Sequence, residues 1–340
     1  MSSVISSMAL PAHTPIPSGF SVYDKAFYNI LGSAPTLEVI AQNSSFPFAH
    51  EASVYIPEKD ELFLSSNIFT DPVTNESTIK ISKVNVGANP VTSEIIDTNV
   101  SMANGGTNYK GGVLWTAQGT LNETGGVVLM SSSPPYGTHL FVGDYLGRPF
   151  NSLNDIVVAK DGAFWFTDPI YGWRQGIRPK PQLRQQVYRY DPSTQGIRVV
   201  ADGFSRPNGI SFSPDEKTVY ITDTGETNGD GSKDALEPAT IYAFDVSIIH
   251  GQPFLTNRRL FAVPGNGIPD GIKVDQYGNV YAGCKDGVNV WSAGGVLLGK
   301  VLVKGGTSNF SFGKNGSMFI LNENRLYRAQ LNPQYHGTLV

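Results

Sequence analysis

Apolar residues along this chain fall mostly in short runs with period-two alternation, the mark of half-buried strands. Helical spacing surfaces only in SVYDKAFYNIL (21–31), which reads as a short helix. Six stretches share one layout. Each opens on a polar residue, continues as a short alternating apolar run, breaks about seven residues on at a Lys/Asp/Asn/Gly turn, and resumes as a second apolar run. The opening residues, here termed anchors, are Glu51, Asn104, Asn154, Asn208, Asp270 and Asn309. They recur about every 40–60 residues, and a strand-built repeat of roughly that length predicts a β-propeller in which each repeat is one four-stranded blade. Six repeats predict an all-β, six-bladed ring. If every anchor begins the innermost strand of its blade, all six face one mouth of the central channel.

The remaining runs fit that plan. QVYRYDPSTQGIRVVAD (186–202) and TIYAFDVS (240–247) read as further hairpin strands. TLEVIAQ (36–42) precedes the first anchor and is the candidate for closing the ring, as the outer strand of the blade that holds RLYRAQL (325–331). Residues 1–20 are Pro/Ser-rich and read as a flexible tail, leaving 21–340 as one propeller domain. Two segments, 168–186 and 224–239, are too long for hairpins and are candidates for walls or lids over a site.

Composition narrows the function. The chain carries 37 Gly and 22 Pro, which punctuate many short strands, and a net charge of −4 with no basic block. Nucleic acid is therefore not an expected partner. No apolar stretch reaches the length of a membrane-spanning helix, and the N-terminus has neither the charged start nor the sustained apolar core of a signal peptide. The reading leans cytoplasmic, although several Asn-X-Ser/Thr sequons, among them Asn43 and Asn122, would matter in a secreted chain. The single cysteine, Cys284, excludes an internal disulfide and a thiolate metal cluster, and its apolar run VYAGC predicts a buried, inert thiol. Nothing in the sequence sets an oligomeric state.

The anchors are two carboxylates and four carboxamides, an all-oxygen set that suits calcium, and less well magnesium or manganese. Two carboxylates neutralise a divalent ion, and Asn carbonyls add ligands without charge. Any one anchor taken alone is also an ordinary turn former; the recurrence in register is what argues for a site, since each repeat has its turn residues separately. His50 precedes Glu51 and in a strand would face the opposite way, as support for the site or as a plain strand residue. His13, His139, His250 and His336 read as loop or surface residues. Tyr171, Trp173, Arg174 and Arg178, in the loop 168–186, are candidates to wall a substrate pocket or to pack on the rim. There is no G-x-S-x-G elbow, no H-E-x-x-H and no P-loop.

The segments FNSLNDIVVAKDGAFWFTDPIYG (150–172), RPNGISFSPDEKTVYITDT (206–224) and IPDGIKVDQYGNVYAGCKDGVNVW (268–291) resemble the gluconolactonase / senescence-marker-protein family of six-bladed propellers. FSVYDKAFYNILG, HEASVY, NGGTNYKGG and QVYRYDP further resemble its fungal lactonohydrolase branch, which opens aldonate and pantoyl lactones. The resemblance runs from about residue 20 to the C-terminus. It implies a divalent cation at the channel mouth, usually calcium and replaceable by another such as Mg²⁺, Mn²⁺ or Zn²⁺, held by Glu51, Asn154, Asn208 and Asp270. It also implies Asp270 as general base, with Glu51 the less favoured alternative. The family string after the Glu is normally Ala/Gly/Ser-Pro-Val-Trp-like; here it is Ala52-Ser53-Val54-Tyr55. Asn104 and Asn309 come from the repeat register alone, and with Asn154, Tyr171 and Trp173 are expected to contact substrate.

The reaction implied is cation-assisted hydrolysis of a small hydroxy-acid lactone by water, which fits the missing nucleophile motifs. Two other readings share the site. One is a cation-dependent isomerase, cyclase or lyase of fungal secondary metabolism, because one fold hosts many chemistries. The other is a non-catalytic calcium-binding scaffold.

Overall fold

The computed structural model describes residues 18–338. Most of the expected tail, residues 1–17, lies outside the described residues. Six antiparallel sheets make six blades. Blade 1 runs Glu51–Ile56, Glu61–Ser65, Ile81–Asn85 and Thr92–Ile96 from the inside outward, and blade 2 runs Ala103–Tyr109, Gly112–Gly119, Thr124–Met130 and Thr138–Val142. Blade 3 is Ile156–Val158, Phe164–Asp168, Gln186–Asp191 and Gly196–Ala201; blade 4 is Pro207–Phe212, Thr218–Asp223, Thr240–Ile249 and Gln252–Ala262. Blade 5 starts with Ile272–Val274, Val280–Cys284, Gly287–Trp291 and Leu297–Leu302. Blade 6 contributes Phe310–Phe312, Ser317–Asn322 and Arg325–Gln330.

The ring closes where the sequence pattern predicts. Thr36–Gln42 pairs antiparallel with Arg325–Gln330, Thr36 opposite Gln330 and Gln42 opposite Arg325, as the outer strand of blade 6. The N-terminal segment adds something the pattern does not predict. Phe20–Val22 forms a fifth strand on blade 5, Phe20 opposite Val301, and only Phe27–Leu31 of the expected helix is helical. Phe27 is wholly buried there, and the absent side chain of Gly299 makes room for its ring.

The inner strands Glu51–Ile56 and Pro207–Phe212 are buried end to end. The turns that join first to second strands use left-handed residues where the pattern places Asp-Gly and Asn-Gly: Gly162 has φ 85°, and Asn315 has φ 54°. Among the described residues the apolar core divides into six clusters, one at each junction between neighbouring blades. Trp115 packs between blades 1 and 2, Phe150, Phe164 and Tyr188 between 2 and 3, and Trp165 with Phe212 between 3 and 4. Blade-to-blade packing, and not packing within a sheet, thus holds the ring, and it fixes where the inner-strand ends sit around the channel.

Candidate functional site

Every anchor stands at or just before the start of an inner strand. Glu51 opens its strand, Asn104 and Asn208 are second in theirs, and Asn154, Asp270 and Asn309 lie one or two residues ahead. A cavity of about 250 Å³ at this mouth is lined by Glu51, Asn104, Asn154, Asn208 and Asp270 together with His50. Asn309 stands behind it and donates Nδ2 to Glu51 Oε2 at 2.9 Å.

Both long loops overhang this same mouth. The first brings Tyr171 and Gln175 to the cavity, and the second Thr227 and Gly229. Tyr171 Oη lies 2.5 Å from Thr224 Oγ1, tying the two loops together. Trp173 does not line the cavity; it is 37 % exposed, with the Arg174 guanidinium 5.0 Å from its ring. Arg178 is buried and spends its donors on the backbone oxygens of Phe150, Asn151, Thr120 and Glu123, so it braces the loop and does not face the site.

Three local devices aim the anchors. In blade 1 the register between the first two strands shifts between Glu51 and Val54, with Ala52 at φ 70° and Ser53 at φ 56°. Such a bulge re-aims the side chain beside it. Proline, with φ locked near −65°, cannot occupy Ser53 in this conformation, so the departure from the family string is structural. After Asn104, Asn208 and Asp270 the next residue is glycine for reasons of space. A Cβ on Gly105 would sit 2.4 Å from Asn154 O, one on Gly209 2.5 Å from Asp270 O, and one on Gly271 2.5 Å from Asn309 Cγ. None of the three has a positive φ among the described residues, so here Asn-Gly and Asp-Gly mark close packing and not turns. Finally, second-strand hydroxyls clamp the anchor of the following blade. Ser65 Oγ donates to Asn104 O at 2.9 Å, Thr116 Oγ1 to Asn154 O at 2.5 Å, Thr167 Oγ1 to Asn208 O at 2.7 Å and Thr222 Oγ1 to Asp270 O at 2.9 Å.

The electrostatics of the cavity are set by unpartnered oxygens and by its two carboxylates. Buried side-chain oxygens without a hydrogen-bond partner are rare, and each asks for an explanation. Asn104 Oδ1, Gln118 Oε1, Asn154 Oδ1 and Asp270 Oδ1 are four of them, and all four residues line this one cavity. Burial, joined by the Glu51 charge, pushes the Asp270 carboxyl well above its ordinary range. Burial raises Glu51 too, against the pull of His50 and of the Asn309 hydrogen bond. Burial alone would lower His50, but Glu323, whose Oε1 lies 2.7 Å from Nδ1, carries it up to about 9, with Glu51 and Asp270 adding to the rise. The buried carboxylate of Glu51, the half-buried one of Asp270 and a set of orphaned oxygens fit a hard divalent ion. No group of three or more His, Cys, Asp or Glu among the described residues is placed to hold a metal. An ion here would rest on carboxamides as much as on carboxylates.

The family model described as "SMP-30/Gluconolactonase/LRE-like region" matches residues 110–322. The chain belongs to this family. Among its relatives, lactonohydrolase oryL of Aspergillus oryzae is 28 % identical over 331 residues, covering 89 % of this chain and 73 % of that one. The gluconolactonase of Zymomonas mobilis is 29 % identical over 228 residues, covering 64 % of this chain and 60 % of its own. A solved gluconolactonase from Xanthomonas campestris superposes with a TM-score of 0.72 at 28 % identity, over 95 % of this chain and 98 % of that one.

Within this family member Gln118 in the cavity and Asp155 beside it escape a sequence reading, and His50, read as support for the site or as a plain strand residue, lines the cavity. His50 precedes the inner strand instead of lying in it, so strand alternation does not apply and it shares the cavity with Glu51. Gln118 is the penultimate residue of a second strand, where only its place after the clamping Thr116 in the WTAQ run hints at the mouth. Asp155, next to Asn154, is buried and accepts from the Ile210 N–H at 3.1 Å, which fastens blade 3 to blade 4.

Proposed function

We propose that this cavity is the active site of a lactonase that uses a divalent cation, calcium in the first instance, to hydrolyse small hydroxy-acid lactones of the aldono- or pantoyl type. Family membership and the relatives' activities make the chain a lactone-hydrolysing hydrolase. The observation that carries the finer reading is the convergence on one cavity of four unpartnered buried oxygens and two carboxylates, Glu51 and Asp270, that burial pushes above their ordinary range.

Glu51, Asn154, Asn208 and Asp270 would hold the ion. When bound, it polarises the lactone carbonyl and offsets the charge that grows on the carbonyl oxygen. Asp270 accepts the proton of the attacking water at Oδ1, which no other donor occupies. Water adds to the carbonyl carbon, the ring C–O bond breaks, and the proton ends on the released hydroxyl or the new carboxyl group. Asn309 keeps Glu51 oriented. Asn104 and Tyr171, which both line the cavity, would contact the substrate's hydroxyls. Cys284 takes no part, because burial raises its thiol far above the range where a thiolate forms.

The test is hydrolysis of glucono-, galactono-, pantoyl- and aromatic lactones with and without EDTA, with calcium restored, alongside Asp270→Asn and Asn208→Ala. Expected are loss of activity in EDTA, recovery with calcium, and a loss of at least a hundredfold in Asp270→Asn, which stays folded. A folded, calcium-binding protein inert on every lactone would overturn the reading and point to an isomerase or lyase.

A further inference from the structure

The cavity at the mouth does not end at Asp270. A second lobe of about 210 Å³ shares Thr227, Ile268 and Asp270 with it and continues outward between Lys233, Lys285 and the turn Gly305–Ser308. The two lobes differ in charge. The first holds the carboxylates Glu51 and Asp270, while the second adds two lysines and no further acid.

Lys285 is set into its place by two glycines. A Cβ on Gly267 would lie 2.6 Å from Lys285 Cβ, and one on Gly306 2.8 Å from Lys285 Cα. Both glycines are left-handed, at φ 70° and φ 85°, so neither position accommodates a side chain without strain. Among the described residues Lys285 has no hydrogen bond or ion pair, whereas Lys233 Nζ stands 3.6 Å from Glu226 Oε1. A cavity lobe next to a reaction site, lined by two lysines of which Lys285 is unpaired, suits an anionic group on whatever occupies that site.

We infer that the lysine lobe binds a carboxylate carried by the substrate outside its lactone ring, so that the preferred lactones of this enzyme are acidic ones. The inference rests on the lactonase reading for its site. It adds a substrate class and a residue that selects it. Lys285 acts on binding and not on the chemical step, so its loss should appear in KM and leave kcat nearly unchanged.

The experiment compares two γ-lactones, 5-oxotetrahydrofuran-2-carboxylate and neutral γ-valerolactone, in the calcium-loaded wild type, Lys285→Gln and Lys285→Glu. The wild type is expected to show the lower KM for the acidic lactone. Lys285→Gln should raise that KM about tenfold, the scale of one charge-assisted hydrogen bond, and leave the neutral lactone unaffected; Lys285→Glu should raise it further. Calorimetric binding of 2-hydroxyglutarate, the acidic lactone's product, reads the lobe without turnover and should weaken about tenfold in Lys285→Gln. Hydrolysis of both lactones with no Lys285 dependence overturns the lobe and keeps the lactonase. Lys285-dependent binding of 2-hydroxyglutarate without hydrolysis of either lactone keeps the lobe and overturns the lactonase. Neither binding nor hydrolysis overturns both.

Discussion

A single missing methyl group does much of the work at the residue scale. Gly209 follows the anchor Asn208, and its empty side is filled by the backbone oxygen of the next anchor, 2.5 Å from where a Cβ would stand. Gly209→Ala is expected to cost about 1–3 kcal/mol as overpacking and to push Asp270 out of position. The readouts are thermal stability and calcium affinity by calorimetry, with affinity falling about tenfold; an unchanged affinity would show that Asp270 tolerates the displacement. This is also where the sequence misleads. Asn-Gly and Asp-Gly pairs are strong turn formers, yet Gly105, Gly209 and Gly271 sit at crowded seams, and only their recurrence in register separates them from turns. The anchors were legible because six independent copies agree. Trp173 and Gln118 were not, since neither position repeats: one is a loop residue whose direction depends on the loop's path, the other a penultimate strand residue with no periodic partner.

Strands and loops carry the next set of constraints. The hydroxyls of Ser65, Thr116, Thr167 and Thr222 occupy one register position, the third residue of the runs FLS, LWT, WFT and YIT, so the clamp is visible in the sequence once its purpose is known. Thr222→Val keeps shape and removes both the bond to Asp270 O and the acceptor for the Gly209 N–H at 2.7 Å. Leaving such groups unpaired costs about 1–3 kcal/mol, and kcat/KM should drop with it; Thr222→Ser should restore both, and a serine variant as impaired as valine would argue against the hydroxyl. A carboxylate performs a related task one residue on. Asp168 accepts from the Asn151 and Ser152 N–H groups at 3.0 and 2.9 Å, holding the segment that leads to Asn154, and Asp223 does the same for Ser205 and Arg206. Burial raises Asp168 from 3.8 to about 7, against the two backbone donors and Arg178. The fold thus favours its neutral form, and that contribution is complete below about pH 4 and lost as the pH rises through 7. Asp168→Asn is neutral throughout. Between pH 8 and pH 5 the wild type should therefore gain stability relative to Asp168→Asn, by a few kcal/mol at most at roughly 1.4 kcal/mol per unit. Denaturant titrations at both values measure it, and a constant gap would mean that Asp168 stays ionised across the range.

For the whole molecule, closure is the decisive event. The six-fold pattern and the identity of the closing strand could be read from the sequence, because strand alternation and repeat length leave few alternatives once six copies are counted. The added strand Phe20–Val22 could not be, since three residues carry too little periodicity to stand out and owe their conformation to the edge offered by Leu297–Leu302. A chain shortened to begin at Asn43 would lose both N-terminal strands and the buried Phe27, Ile30 and Leu31. It should fail to unfold cooperatively and should aggregate through the bared edge of Arg325–Gln330, as followed by circular dichroism and light scattering. A cooperative transition near that of the full chain would show that the ring holds without its clasp.

The clamping hydroxyls also bear on how such a site could be inherited or rebuilt. Four of the anchors have their carbonyl oxygen held by the blade before their own, so a blade moved alone into another ring would arrive with its anchor untethered and would tether a stranger. What transfers intact is the half of one blade that faces the half of the next. Variation in this chemistry should accordingly travel across the joints between repeats, with a second-strand hydroxyl and the following anchor changing together while the repeats themselves drift apart.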